Sequence, residues 1–152
     1  MDDEGLFRLD AAQALAAPPS LDPLLKLASP DMQAVDALIR EHMDSPVPVI
    51  PALADHLIAG SAKRLRPLLT IAAARLCGAR DDNCLKLAAA VEFIHTATLL
   101  HDDVVDSSQL RRGRVAAHLI WGAPASVLVG DFLFARAFEL MVGAGSMPAL
   151  EI

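Results

Sequence analysis

Three carboxylates, Asp102, Asp103 and Asp106, interrupt an apolar run in the stretch VEFIHTATLLHDDVVDSSQLRRG, residues 91–113. Acids set among Leu99, Leu100, Val104 and Val105 cost free energy unless something compensates them. Like charges this close either share a cation or see a pKa rise. On a helix, residues i and i+4 lie about 40° apart, so Asp102 and Asp106 share a face and Asp103 flanks it. Such a rack of hard oxygen ligands suits Mg²⁺ held jointly with phosphate oxygens and water.

Cationic groups cluster on either side of this stretch. Lys63-Arg64-Leu65-Arg66-Pro67 lies at a loop-to-helix junction, where a lysine point charge, an arginine fork and helix N–H groups can grip a diphosphate. Arg111-Arg112-Gly113 follows Asp106 by five residues. Either run also serves a bland purpose, as a solvated patch or as salt-bridge partners of the acids. His95 is seven residues before Asp102, about 20° away in azimuth and about 10 Å along a helix axis. It shares the acid face and is read as a donor to a second phosphate group or as structural. His101 is read as structural and Asp131 as a packing acid.

These groups need helices to hold them. Periodic Met32, Val35, Leu38, Ile39 and Met43 predict a helix over residues 29–44, with Ser29 as its N-cap and Pro30 at its first position. A second helix is expected over 50–59, closed by Gly60. A third, over 66–77, is expected to turn Leu68, Leu69, Ala72 and Leu76 inward and to stop at Gly78. A fourth, capped by Asp81 or Asp82, runs over 83–106 and carries the acids. A polar loop, 107–114, leads to a fifth helix over 124–142. A sixth starts at Ser146-Met147-Pro148 and reaches only Ile152, so the chain is read as interrupted. Residues 1–29, with Pro18, Pro19 and Pro23, are read as a separate arm, and 30–152 as one helical domain.

Apolar residues make up 54% of the 152 and aromatic ones only 4%, a balance that favours packed helices over a sheet. A net charge of −6 argues against general nucleic-acid binding. Cys77 and Cys84 are read as two buried reduced thiols, pointing to a reducing compartment. The acidic N-terminus lacks a signal-peptide pattern. The longest uncharged run, broken by Gly122 and Pro124, is shorter than the roughly 20 residues of a membrane span. A soluble, cytoplasmic protein is expected.

Taken together, these residues resemble the head-to-tail trans-prenyltransferases, the polyprenyl diphosphate synthases. The likeness covers about residues 30–152. FIHTATLLHDDVVD, then RRG, then SVLVGDF is similar to the medium- and long-chain bacterial branch, with octaprenyl and decaprenyl synthases as the nearest type. The resemblance implies an all-α antiparallel helical bundle of the isoprenoid synthase type, here incomplete, and a homodimer. It implies a Mg²⁺-dependent condensation of isopentenyl diphosphate onto an allylic diphosphate, with peripheral membrane association through the lipid product. Asp102, Asp103 and Asp106 match the first aspartate-rich motif, and Arg111 the arginine on the allylic diphosphate. Lys63, Arg66, His95 and Arg112 match the isopentenyl diphosphate pocket. Ala97 and Thr98 match the chain-length positions, where small residues imply a long product. The family's second aspartate-rich motif has no counterpart here, since the chain has no other DDxxD. The 152 residues alone are therefore expected to be inactive. Two other readings stay open: a non-catalytic subunit of a hetero-oligomeric synthase, and a class I terpene cyclase, which also uses DDxxD.

Overall fold

The structure, a computed structural model, describes residues 20–59 and 64–151. Alanine- and leucine-rich segments punctuated by Pro and Gly fold into α1 (Asp22–Leu27), α2 (Ser29–Met43), α3 (Val49–Ala59), α4 (Leu65–Leu76) and α5 (Asn83–Val105). Two short strands, β1 (Leu110–Arg111) and β2 (Arg114–Val115), then pair as a hairpin. The helices α6 (Ala117–Trp121), α7 (Ala123–Gly143) and α8 (Met147–Leu150) follow.

The bundle is built around α5. Its buried residues, among them Leu85, Ala88, Ala89, Phe93, Ala97 and Leu100, occupy more than one side of the cylinder, which is the pattern of a helix enclosed by others. α5 packs most extensively on α7, then on α4 and α2. Its alanines let the backbones approach. Lys86 near the start of α5 donates to Gly143 O at the end of α7 (2.8 Å), while His101 near its end meets Val127 O (3.1 Å). The two helices are therefore antiparallel. α2 and α4 are antiparallel as well: Asp31 takes both fork nitrogens of Arg75, at 2.9 and 3.0 Å, and Asp36 lies 2.8 Å from Arg64. Leu53, Leu68, Ile71, Leu133, Val35 and Val129 complete the core around Phe93 and Leu100.

Several expectations are corrected. Ser29 is not the N-cap of α2: Ala28 holds that position without a side-chain bond, and Ser29 is already helical, because α1 runs almost directly into α2. On α4 the inward face is Pro67, Leu68 and Ile71, whereas Leu69 and Leu76 face solvent. Cys77 is exposed and only Cys84 is buried, since Cys77 lies just past the last turn of α4. Gly60 lies outside the described residues. Gly78 does close α4: at φ +84° it donates to Arg75 O, and Ala79 donates to Ala74 O, the bond pair of a left-handed helix stop.

Gly130 sets the spacing of α5 and α7. A Cβ there would stand 2.2 Å from His101 Nε2 and 2.6 Å from its Cδ2. Gly130→Ala must push the imidazole off Val127 O. It is expected to lower stability by about 1–3 kcal/mol, the usual cost of overpacking. Chemical denaturation checks this, and an unchanged midpoint would show that the ring relocates freely.

Candidate functional site

The last turn of α5 is an unfavourable place for acids, because the C-terminal end of a helix carries the negative end of its dipole. All three carboxylates are nevertheless there, in a turn with no basic residue. The helix stops immediately after them. Ser107, at φ +52°, donates to Val104 O, and Ser108 donates to Asp103 O. A side chain in this left-handed position is strained relative to glycine. Ser107→Gly is expected to gain about 1 kcal/mol of stability, read as a higher melting temperature. A loss would mean that the hydroxyl contributes more than the strain costs.

Beyond this stop the chain makes a tight hairpin. Arg111 pairs with Arg114 and Leu110 with Val115. The two linking residues, Arg112 and Gly113, have φ of +52° and +78°, as a two-residue turn with right-handed strand twist requires. The polar loop expected over 107–114 thus contains an ordered turn that aims its arginines.

The hairpin returns Arg111 to the end of α5. Arg111 Nε donates to both oxygens of Asp103, at 2.9 and 3.2 Å, and its Nη2 donates to Oδ1. Asp103 is 3% exposed, so this fork compensates a carboxylate that could not otherwise be buried. The pairing also holds the Arg111 guanidinium above its ordinary pKa, chiefly through the hydrogen bonds to Asp103. Asp102 and Asp106 are exposed, a turn apart. The three acids accordingly have two different surroundings. Among the described residues, no group of three or more His, Cys, Asp or Glu side chains converges to hold a metal. Asp102 and Asp106 remain as two oxygen donors on one edge, which fits an ion that takes one or two carboxylates and completes its shell with phosphate oxygens and water.

Next to this edge is a cleft. Glu92, His95, Thr96, Leu99 and Asp103 supply one wall from α5, and Arg111, Arg112 and Arg114 another from the hairpin. His56 and Leu57 of α3 also line it. His95 is half-buried, and burial holds its pKa below the usual imidazole range. Arg66, Arg112 and Arg111 push it the same way, and Glu92 opposes them. Three guanidiniums on two different elements therefore act on one imidazole. Arg66 sits in the first turn of α4, exposed, and Lys63 lies outside the described residues. Ala97 is fully buried; Thr98 is half-buried and donates to His95 O at 2.8 Å.

His56, Glu92 and Arg114 were not singled out in the sequence. Glu92 lies three residues before His95, a helical spacing that marks it for the same face. Nothing local marks His56 or Arg114, which reach the cleft only through tertiary folding.

An all-helical bundle with an acid edge and an arginine-lined cleft is the isoprenoid synthase fold, and solved structures agree. A polyprenyl synthase from Caulobacter crescentus, complexed with calcium and isoprenyl diphosphate, superposes with a TM-score of 0.84 at 71% identity, over 87% of this chain and 40% of that one. A decaprenyl diphosphate synthase from Rhodobacter capsulatus gives 0.84 at 56% identity, over 87% and 41%. The polyprenyl synthetase family model matches residues 47–152, and the chain belongs to that family. It is 49% identical to octaprenyl diphosphate synthase of Haemophilus influenzae over 133 residues, 88% of this chain and 40% of the relative. The chain thus spans about 40% of the length of the curated relatives it matches.

Proposed function

We propose that this chain carries the diphosphate-gripping part of a polyprenyl diphosphate synthase, which joins isopentenyl diphosphate to an allylic diphosphate to make a medium- or long-chain product. One observation supports this reading above the others. Arg111 takes up Asp103, leaving Asp102 and Asp106 a turn apart and exposed beside a cleft lined by arginines. In this reading Asp102 and Asp106 hold Mg²⁺, and Asp103 serves by fixing Arg111 against the allylic diphosphate. Arg66, Arg112, His95 and Lys63 hold isopentenyl diphosphate. The metal, when bound, neutralises charge on the departing diphosphate. The arginines do the same from the protein side. A neutral His95 donates a hydrogen bond without adding charge. Ala97 and Thr98 leave room for a long product.

The whole activity is assigned to a homodimeric enzyme in the cytoplasm, touching membranes through its lipid product. No helix among the described residues is long and apolar enough to cross a membrane. Because the chain has one DDxxD, a polypeptide of these 152 residues is expected to bind substrates and turn over little. Calorimetric titration with an allylic thiodiphosphate in Mg²⁺ is expected to give saturable binding, with isopentenyl diphosphate binding at a second site. A chain that binds the allylic ligand alone would favour a terpene cyclase. A chain that binds neither would refute the reading.

A further inference from the structure

We propose that His56 is a positioning residue for the arginine hairpin, acting through a reciprocal latch between α3 and β2. The inference rests on the diphosphate reading above. Gln109 O accepts from Ala116 N (3.0 Å), so the neighbouring Leu110–Val115 pair is the one whose backbone groups point away from the partner strand. Val115 O therefore faces outward, open to a donor from outside the hairpin. His56 provides it: its Nε2 lies 2.9 Å from Val115 O. A carbonyl only accepts, so Nε2 carries the proton, in the neutral and the charged ring alike.

The return contact closes the latch. Arg114 Nη1 donates to His56 O at 3.1 Å. That carbonyl is in the last turn of α3 (Val49–Ala59), where helix carbonyls lack intrahelical partners and cations are favoured. The His56 ring is braced edge-on by Trp121, with centroids 5.2 Å apart and planes at 73°. One residue thus ties the hairpin that bears Arg111 and Arg112 to the helix that leads, seven residues on, to Lys63. The latch adds a hold on the β2 side of the hairpin to the Arg111–Asp103 fork on the β1 side, so weakening it loosens the strand pair from which Arg111 and Arg112 reach the cleft.

The test uses the full 152-residue chain, with inorganic diphosphate and Mg²⁺ as the probe. His56→Phe keeps the ring against Trp121 but removes the donor. His56→Gln places an amide N–H near the Nε2 position. His56→Asn carries a donor that is too short to reach and stands in should the phenylalanine variant not fold. His56→Phe and His56→Asn are expected to bind diphosphate about fivefold more weakly, the scale of one lost hydrogen bond. They are also expected to exchange the Arg111 and Arg114 amide hydrogens about tenfold faster, as local opening becomes easier. His56→Gln is expected to restore both, although its melting temperature matches that of His56→Phe. A purely structural role would leave the glutamine variant as weak a binder as the phenylalanine one, and that result overturns the proposal. Wild-type binding that all three variants keep within twofold also overturns it and leaves the diphosphate reading standing. Absence of diphosphate binding by the wild-type chain overturns both.

Discussion

Replacing Arg111 with methionine is expected to cost about 3 kcal/mol of stability, because it strands a buried carboxylate without its partner. Asp103 is 3% exposed and receives three hydrogen bonds from this one guanidinium. The converse change is mild. Arg111 is about one-third exposed, so in Asp103→Leu the guanidinium can turn to water, and a loss under about 1 kcal/mol is expected. The double variant is expected to lie within about 1 kcal/mol of wild type, since neither charge is then stranded. In a domain of this size about 3 kcal/mol corresponds to a fall of roughly 6–12 °C in melting temperature. Diphosphate affinity is expected to follow a different order. All three variants lose a properly aimed charged donor, worth about 1.5–3 kcal/mol, or roughly ten- to a hundredfold in affinity. Recovered stability without recovered binding in the double variant would separate the two roles of the pair. An Arg111→Met protein that melts like wild type would contradict this account of Asp103.

Removing Asp102 and Asp106 is expected to do the opposite to stability. Both are exposed acids at the negative end of α5, where each costs about 0.3–1 kcal/mol, and they repel one another at i, i+4 by a few tenths more. The double alanine variant is expected to be about 1 kcal/mol more stable than wild type and to lose Mg²⁺-dependent diphosphate binding by a hundredfold or more. A gain of stability on deleting two acids, paired with loss of binding, marks residues kept for function. Denaturation curves and calorimetry on the same samples read both. Lower stability would mean that the attraction of the two carboxylates to Arg111 outweighs the dipole and their mutual repulsion.

The sequence carried the helical part of this fold because its signals are local. Met32 to Met43 and Leu85 to Leu100 repeat at helical period, and Gly78 stops α4 through its own backbone freedom. The same geometry put His95 and Asp103 on the stretch of α5 that lines the cleft. What was not legible depends on contacts far apart in the chain. Leu69 and Leu76 look like core residues on α4, yet the face that packs on α5 is set by Leu68 and Ile71. The distinction between Asp103 and its two neighbours follows from where the hairpin brings Arg111, and the hairpin depends on Arg112 accepting a left-handed conformation that few would assign to an arginine. His56 and Arg114 carry no local signal. They matter only because α3 and β2 meet.

The central claim is that Asp102 and Asp106, together with the arginines of the hairpin, hold a divalent metal and a diphosphate as one unit. Calorimetric titration of inorganic diphosphate into the chain, with and without Mg²⁺, tests it most directly. Saturable binding that requires Mg²⁺ and disappears in the Asp102→Ala/Asp106→Ala variant is the predicted result. Binding that is indifferent to Mg²⁺ or to the loss of both carboxylates would contradict it.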